Sequence, residues 1–202
     1  MAEHARIMRG AHDLGIRIIG CAGTVFGCPV GGDVPLPEVE KLVRFYLDEG
    51  AQTIMLGDTT GMANPLQVRE RVGQLRSTFP GAEFIAHFHD TRGTGIANSI
   101  AMLELGVRYV DCSIGAIGGQ PATGAAKYSA GFTGNTCSED LIAVLEEMGV
   151  STGVDIQALI GAGQRAEGIL GQRLRSNVVR SGPVIHVESS PDKELGVKPQ
   201  AG

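Results

Sequence analysis

Three observations predict an α/β fold with a parallel sheet. Short apolar runs rich in β-branched residues alternate with amphipathic helical stretches, four times over, at intervals of roughly 30 residues. Each apolar run ends in a glycine-rich or polar loop that leads into the next helix. The runs are mostly apolar on both faces, as strands buried in a parallel sheet are. Right-handed crossovers follow from chain chirality.

Residues 4–14, from His4 to Leu14, read as the end of a helix with no strand before it. Arg17-Ile18-Ile19-Gly20-Cys21-Ala22 is the first strand and opens into a glycine-rich loop, residues 23–35. Pro37 suits a first helical position, and Val39, Leu42, Val43, Tyr46 and Leu47 recur at helical spacing as far as Glu49-Gly50. Thr53-Ile54-Met55-Leu56 is the second strand, ending in Gly57-Asp58-Thr59-Thr60-Gly61. Asn64-Pro65 is a cap followed by a proline, and that helix is expected to reach Phe79. Glu83 to Phe88 is the third strand, and Gly95 to Leu105 is a helix closed by Gly106. Tyr109 to Ser113 is the fourth strand, followed by a long glycine-rich loop to Gly134. Ser138 is expected to cap a helix from Glu139 to Met148, and a last helix spans Asp155 to Leu170. From Leu174 the periodicity fades, and the stretch from Ser189 to the end is expected to fray.

Open doubly wound sheets and closed (β/α)8 barrels both use such units. No strand here leads into a G-x-G-x-x-G turn, which counts against a dinucleotide fold. Barrels carry reactive residues at the C-terminal ends of several strands, and that is where Asp58, His87, His89 and the polar loop after Ser113 fall. A barrel is favoured. With four units where a barrel has eight, the chain reads as the C-terminal half of a TIM barrel with C-terminal helices. Residues 1–172 form the partial barrel, with strands equivalent to the fifth to eighth, and residues 173–202 form an irregular tail.

Composition narrows the function classes. The 202 residues are 43% hydrophobic, enough for a core. A net charge of -5 and a pI near 5.5 give no basic footprint, so nucleic acid is not an expected partner. No apolar run is long enough to cross a bilayer, and no signal peptide opens the chain. A cytoplasmic location is expected, with Cys21, Cys28, Cys112 and Cys137 reduced.

His87 and His89 flank Phe88 at the end of a strand, so both project from one face. Neutral imidazoles at that spacing are candidate metal ligands, and Asn135 in the Gly134-Asn135-Thr136 stretch offers a third donor, an amide oxygen. A mixed nitrogen and oxygen set suits Mg²⁺, Mn²⁺, Co²⁺ or Zn²⁺. Asp58, at the end of the neighbouring strand, can orient a histidine, bind substrate or act as a base, or it can cap a turn. Asp90 reads as structural, paired with Arg92. Glu139 and Asp140 occupy a first helical turn, where the macrodipole favours carboxylates. The loop Gly115 to Pro121, which includes Gly118, Gly119 and Gln120, has small residues whose backbone amides can cradle an anion or a carbonyl oxygen. Cys28 is expected to be a buried, inert thiol.

Several of these stretches form an ordered series: Phe26-Gly27-Cys28-Pro29, Gly57-Asp58-Thr59-Thr60-Gly61, His87-Phe88-His89-Asp90-Thr91, Gly118-Gly119, and Gly134-Asn135 followed by Glu139-Asp140-Leu141. The series resembles the hydroxymethylglutaryl-CoA lyase family of the TIM-barrel metallolyase and pyruvate carboxyltransferase superfamily. The resemblance implies that His87, His89 and Asn135 are metal ligands, with Mg²⁺ or Mn²⁺ first and Co²⁺ or Zn²⁺ as alternatives. It implies that Asp58 and Glu139 are catalytic residues lining the pocket, that Gly118, Gly119 and Gln120 bind substrate, and that the substrate is an acyl-CoA thioester. The implied reaction is a carbon–carbon cleavage of a 3-hydroxyacyl-CoA to acetyl-CoA, or another acyl-CoA, and an oxo acid. The family's first-strand Arg-Asp pair and second-strand Glu have no counterpart here, and Gln120 stands where hydroxymethylglutaryl-CoA lyases carry a reactive cysteine. A relative acting on another 3-hydroxyacyl-CoA or hydroxy acid is therefore implied. The alternatives are a condensing acyltransferase of the same superfamily and a non-catalytic half barrel. A homo-oligomer, or a need for the missing N-terminal half barrel, is expected from the sheet edges left open.

Overall fold

The computed structural model describes residues 1–119 and 134–186. Helix α1 (Ala2–Asp13) precedes β1 (Ile19–Ala22), and α2 (Leu36–Asp48), β2 (Thr53–Asp58), α3 (Pro65–Thr78), β3 (Glu83–Phe88), α4 (Gly95–Glu104) and β4 (Tyr109–Asp111) follow in alternation. Helices α5 (Ser138–Glu147), α6 (Ile156–Leu170) and α7 (Val178–Ser181) complete the described chain. The four strands pair in the order β1-β2-β3-β4, every pair parallel. No helix among the described residues is long and apolar enough to cross a membrane.

Local chemistry sets the boundaries. The side chain of Asn64 accepts from the Gln67 amide at 3.0 Å, and proline follows it at the first helical position of α3. Asp155 caps α6 by accepting from the amides of Gln157 and Ala158. Ser138 does not cap α5: Cys137 takes that position, and the Ser138 hydroxyl donates to Cys112 Sγ at 3.1 Å. β4 ends at Asp111, two residues short of the expected Ser113, because the chain tightens there into a 3₁₀ turn, Ile114–Ala116, with Gly115 at φ +57°.

One face of the sheet is packed. Ile54, Leu56, Phe84, Ala86 and Phe88 are buried against Val39, Val43, Val68, Val72, Leu75 and Met102 of the helices. The expectation that both faces are buried fails on the other side. Cys21, Met55, Ile85 and Tyr109 are register partners across all four strands, and each is half-buried or exposed. In β3 burial alternates residue by residue, since Glu83, Ile85 and His87 point toward this uncovered face. In a closed barrel that face is the packed interior; four strands alone leave it open.

The segment expected to be irregular from residue 173 carries structure up to residue 182. Asp140 accepts from the Ser176 hydroxyl, the amide and side chain of Asn177 and the Val178 amide, fixing the start of α7 against α5. Just before it, the Arg175 amide donates to Gly115 O at 3.0 Å. The stretch from Ser189 onward lies outside the described residues.

Candidate functional site

The C-terminal ends of β2, β3 and β4 bring Gly57, His87 and Asp111 into one register row. His89 lies one residue beyond β3. The chain returning from the glycine-rich loop runs beside it: the Asp90 amide donates to Gly134 O at 2.8 Å, and the Thr136 amide and hydroxyl both donate to Phe88 O at 3.0 Å. Those bonds set Asn135 opposite His89 in an antiparallel bridge. Backbone pairing therefore holds Asn135 next to His89.

Nε2 of His87 and Nε2 of His89 stand 3.3 Å apart, with the rings edge to face at 76°. His89 is buried, and the His87 side chain is 19% exposed on the uncovered face. Oδ1 of Asn135 is buried and accepts no hydrogen bond among the described residues. A buried, unpartnered acceptor costs about 1–3 kcal/mol, so this oxygen is open to a donor or a cation. Gly118, at φ +80°, lies against the amide; a Cβ there would come within 2.8 Å of Asn135 Nδ2. Two imidazole nitrogens and an amide oxygen fit a divalent cation of intermediate hardness. No group of three His, Cys, Asp or Glu side chains suited to a metal forms among the described residues, so the third donor beside the pair is neutral.

The remaining sequence-derived positions fall around this centre. Asp58 is fully buried, and its carboxylate accepts from the amides of Met62 at 2.7 Å and Ala63 at 3.0 Å. Burial pushes its pKa up, opposed by those two bonds and by the charges of His89 and Arg92. Glu139 is also fully buried; both of its oxygens face the Gly115 amide, at 2.8 and 3.1 Å, and it accepts from Cys137 Sγ. Gly118 and Gly119 border a cavity of about 570 Å³ between the β4 loop, Gly134 and the stretch Leu170–Arg175. Gln120 lies outside the described residues. The structure thus gathers His87, His89, Asn135 and Gly118, sets Asp58 within electrostatic reach of His89, and puts Glu139 behind Gly115.

Two expectations are corrected. Asp90 caps α4 by accepting from the Gly95 amide at 2.9 Å, while Arg92 donates to Thr60 O and Gly61 O and makes no salt bridge with Asp90. Cys28 is half-buried rather than buried; the Gly31 amide donates to its sulfur at 3.3 Å, and the amides of Gly31 and Val30 lower its pKa. Sequence reasoning missed Asp111, whose Oδ2 lies 2.8 Å from His87 Nδ1. The available signal was a carboxylate ending the strand next to the histidine strand.

Parallel βα units with a polar constellation at the strand C-termini define a partial (β/α) barrel of the kind that carries its chemistry on one rim. Residues 1–165 match the HMGL-like family model, and the chain belongs to that family. It is 39% identical over 153 residues to the hydroxymethylglutaryl-CoA lyase of Bacillus subtilis, covering 76% of this chain and 49% of that one. It is equally 39% identical over 162 residues to the (R)-citramalyl-CoA lyase of Chloroflexus aurantiacus, covering 80% of this chain and 49% of the relative. Among solved structures, an HMG-CoA lyase from Acinetobacter baumannii in complex with coenzyme A and 3-methylmalate superposes with a TM-score of 0.82 at 35% identity, covering 94% of this chain and 60% of that one. The chain spans about half the length of the curated relatives it matches.

Proposed function

We propose that this chain carries the metal-binding portion of a divalent-metal-dependent carbon–carbon lyase of the hydroxymethylglutaryl-CoA lyase type. Its substrate is a 3-hydroxyacyl-CoA thioester, cleaved to acetyl-CoA or another acyl-CoA and an oxo acid. One observation carries the reading: the Nε2 atoms of His87 and His89 converge to 3.3 Å, and Asn135, bridged to His89 through the backbone, carries a buried amide oxygen with no partner among the described residues. These three residues would hold Mg²⁺ or Mn²⁺, and their donor set also suits Co²⁺ or Zn²⁺. When bound, such an ion polarises substrate oxygens and stabilises developing negative charge.

In the reaction a base removes the substrate's hydroxyl proton and the C–O bond becomes a carbonyl. The C–C bond breaks, its electron pair becomes the thioester enolate, and protonation at carbon yields the acyl-CoA. Gly118 and Gly119 offer backbone N–H groups to a substrate oxygen at the edge of the 570 Å³ cavity; Gln120, the third residue assigned to substrate, lies outside the described residues. Asp58 and Glu139 act as positioning residues in this proposal, because their oxygens already accept backbone N–H groups. Asp58 holds the turn after β2, and Glu139 holds Gly115 where the glycine-rich loop begins.

All three donors are neutral, and the uncovered sheet face lies beside them. An anionic ligand is assigned to further βα units that cover this face, supplied by the remainder of a longer barrel or by a second copy. Titration calorimetry with Mn²⁺ and Mg²⁺, comparing the chain with a His87→Ala/His89→Ala variant, tests the site; equal binding by both overturns it. Incubation with 3-hydroxyacyl-CoA thioesters, and separately with an oxo acid plus acetyl-CoA, separates cleavage from condensation. Sedimentation reports the covering: a monomer that melts cooperatively alone argues against the need for it.

A further inference from the structure

Among the described carboxylates at the rim of the sheet, Asp111 is bonded to a histidine of the candidate site. Its Oδ2 lies 2.8 Å from Nδ1 of His87, and the two residues are register partners across β3 and β4. The strand ladder therefore fixes the two backbones side by side.

An ionised carboxylate only accepts hydrogen bonds, so a contact of that length places a proton on Nδ1 of His87. A neutral imidazole has a single N–H. Its Nε2 is then bare, a lone pair directed at Nε2 of His89, 3.3 Å away. The hydrogen bond made at one ring nitrogen selects the state of the other. The Asp111 side chain is 42% exposed, and half-exposed ion pairs add little to folding stability. Stability is thus a poor account of the contact, and orientation of His87 a better one.

We propose that Asp111 is a positioning residue that holds His87 in the Nδ1–H tautomer and keeps its Nε2, which faces His89, unprotonated. The consequence for metal affinity rests on the metal-site reading above; the tautomer assignment does not. Outer partners of metal-binding histidines act this way, and their loss lowers affinity by about 10–100-fold.

The test uses the ¹⁵N-labelled chain at about pH 8, where an ordinary imidazole is neutral. Long-range ¹H–¹⁵N correlation spectra, with the His87 signals assigned by their absence in His87→Ala, report the protonated ring nitrogen. The wild type is expected to show His87 protonated on Nδ1 and bare at Nε2, and Asp111→Ala to shift protonation to Nε2 or to a mixture. Calorimetry with Mn²⁺ should show a 10–100-fold weaker site in Asp111→Ala, while Tm moves by no more than about 2 °C. A wild-type spectrum with Nε2 protonated, or an unchanged tautomer in Asp111→Ala, overturns the proposal. If wild type binds no Mn²⁺ yet the tautomer shifts in the variant, the role of Asp111 stands and the metal reading fails. Should the alanine variant give no folded spectrum, Asp111→Ser, too short to reach Nδ1, is read by the same criteria.

Discussion

Asn135 and His89 face each other across a single antiparallel bridge, so the amide enters the candidate site on backbone locked to the histidine strand. Its buried Oδ1 has no partner among the described residues. Asn135→Ala should weaken Mn²⁺ binding by about tenfold or more, and Asn135→Asp should tighten it by adding the negative charge that this neutral donor set lacks. Calorimetry on both variants checks this, and an unchanged affinity in Asn135→Ala would remove the amide from the site.

Asp58 supports two backbone amides from a fully buried position. Asp58→Ala leaves both without an acceptor, at a cost of about 2–4 kcal/mol in urea unfolding.

The same residue sets a pH dependence. Burial raises its pKa above the ordinary 3.8, so the folded state holds the proton more tightly than the unfolded chain does. Its stabilising contribution is complete below the unfolded value of about 3.9 and is lost as pH rises through the folded value. Stability of the wild type relative to Asp58→Asn should therefore fall as pH rises above about 4. Parallel stability curves for the two proteins would count against the assignment.

Asp140 fastens Ser176, Asn177 and Val178 to α5 through four hydrogen bonds. Asp140→Ala should release this segment and lower stability by about 2–4 kcal/mol. Trypsin should then cut sooner after Arg173, Arg175 and Arg180, with the fragments read by mass spectrometry.

The thiols should separate by reactivity. Backbone amides lower the pKa of half-buried Cys28, whereas burial first, and then Glu139 and Asp140 nearby, pushes Cys137 up to about 12. More thiolate at neutral pH means faster alkylation. Iodoacetamide mapping at about pH 7.5 should modify Cys28 first and Cys137 last, and Cys28→Ser should abolish the fast phase.

By itself the sequence determined the four strands in order, every helix but α7, and the histidine pair. Those depend on local periodicity and turn chemistry: β3 spans Glu83–Phe88 as read from its pattern, and the i, i+2 spacing of His87 and His89 places both on one face. Asn135 was legible as a donor, but its pairing with His89 was not, because a long glycine-rich loop separates the two in the chain. Tertiary structure alone decided which carboxylate serves which partner. Asp58, Asp90, Asp111, Glu139 and Asp140 look alike in a sequence, yet one holds a turn, one caps α4, one bonds His87, one grips Gly115 and one docks α7. The physical reason is that a carboxylate takes whichever donor the packing of distant segments brings within about 3 Å, and no local pattern records that distance.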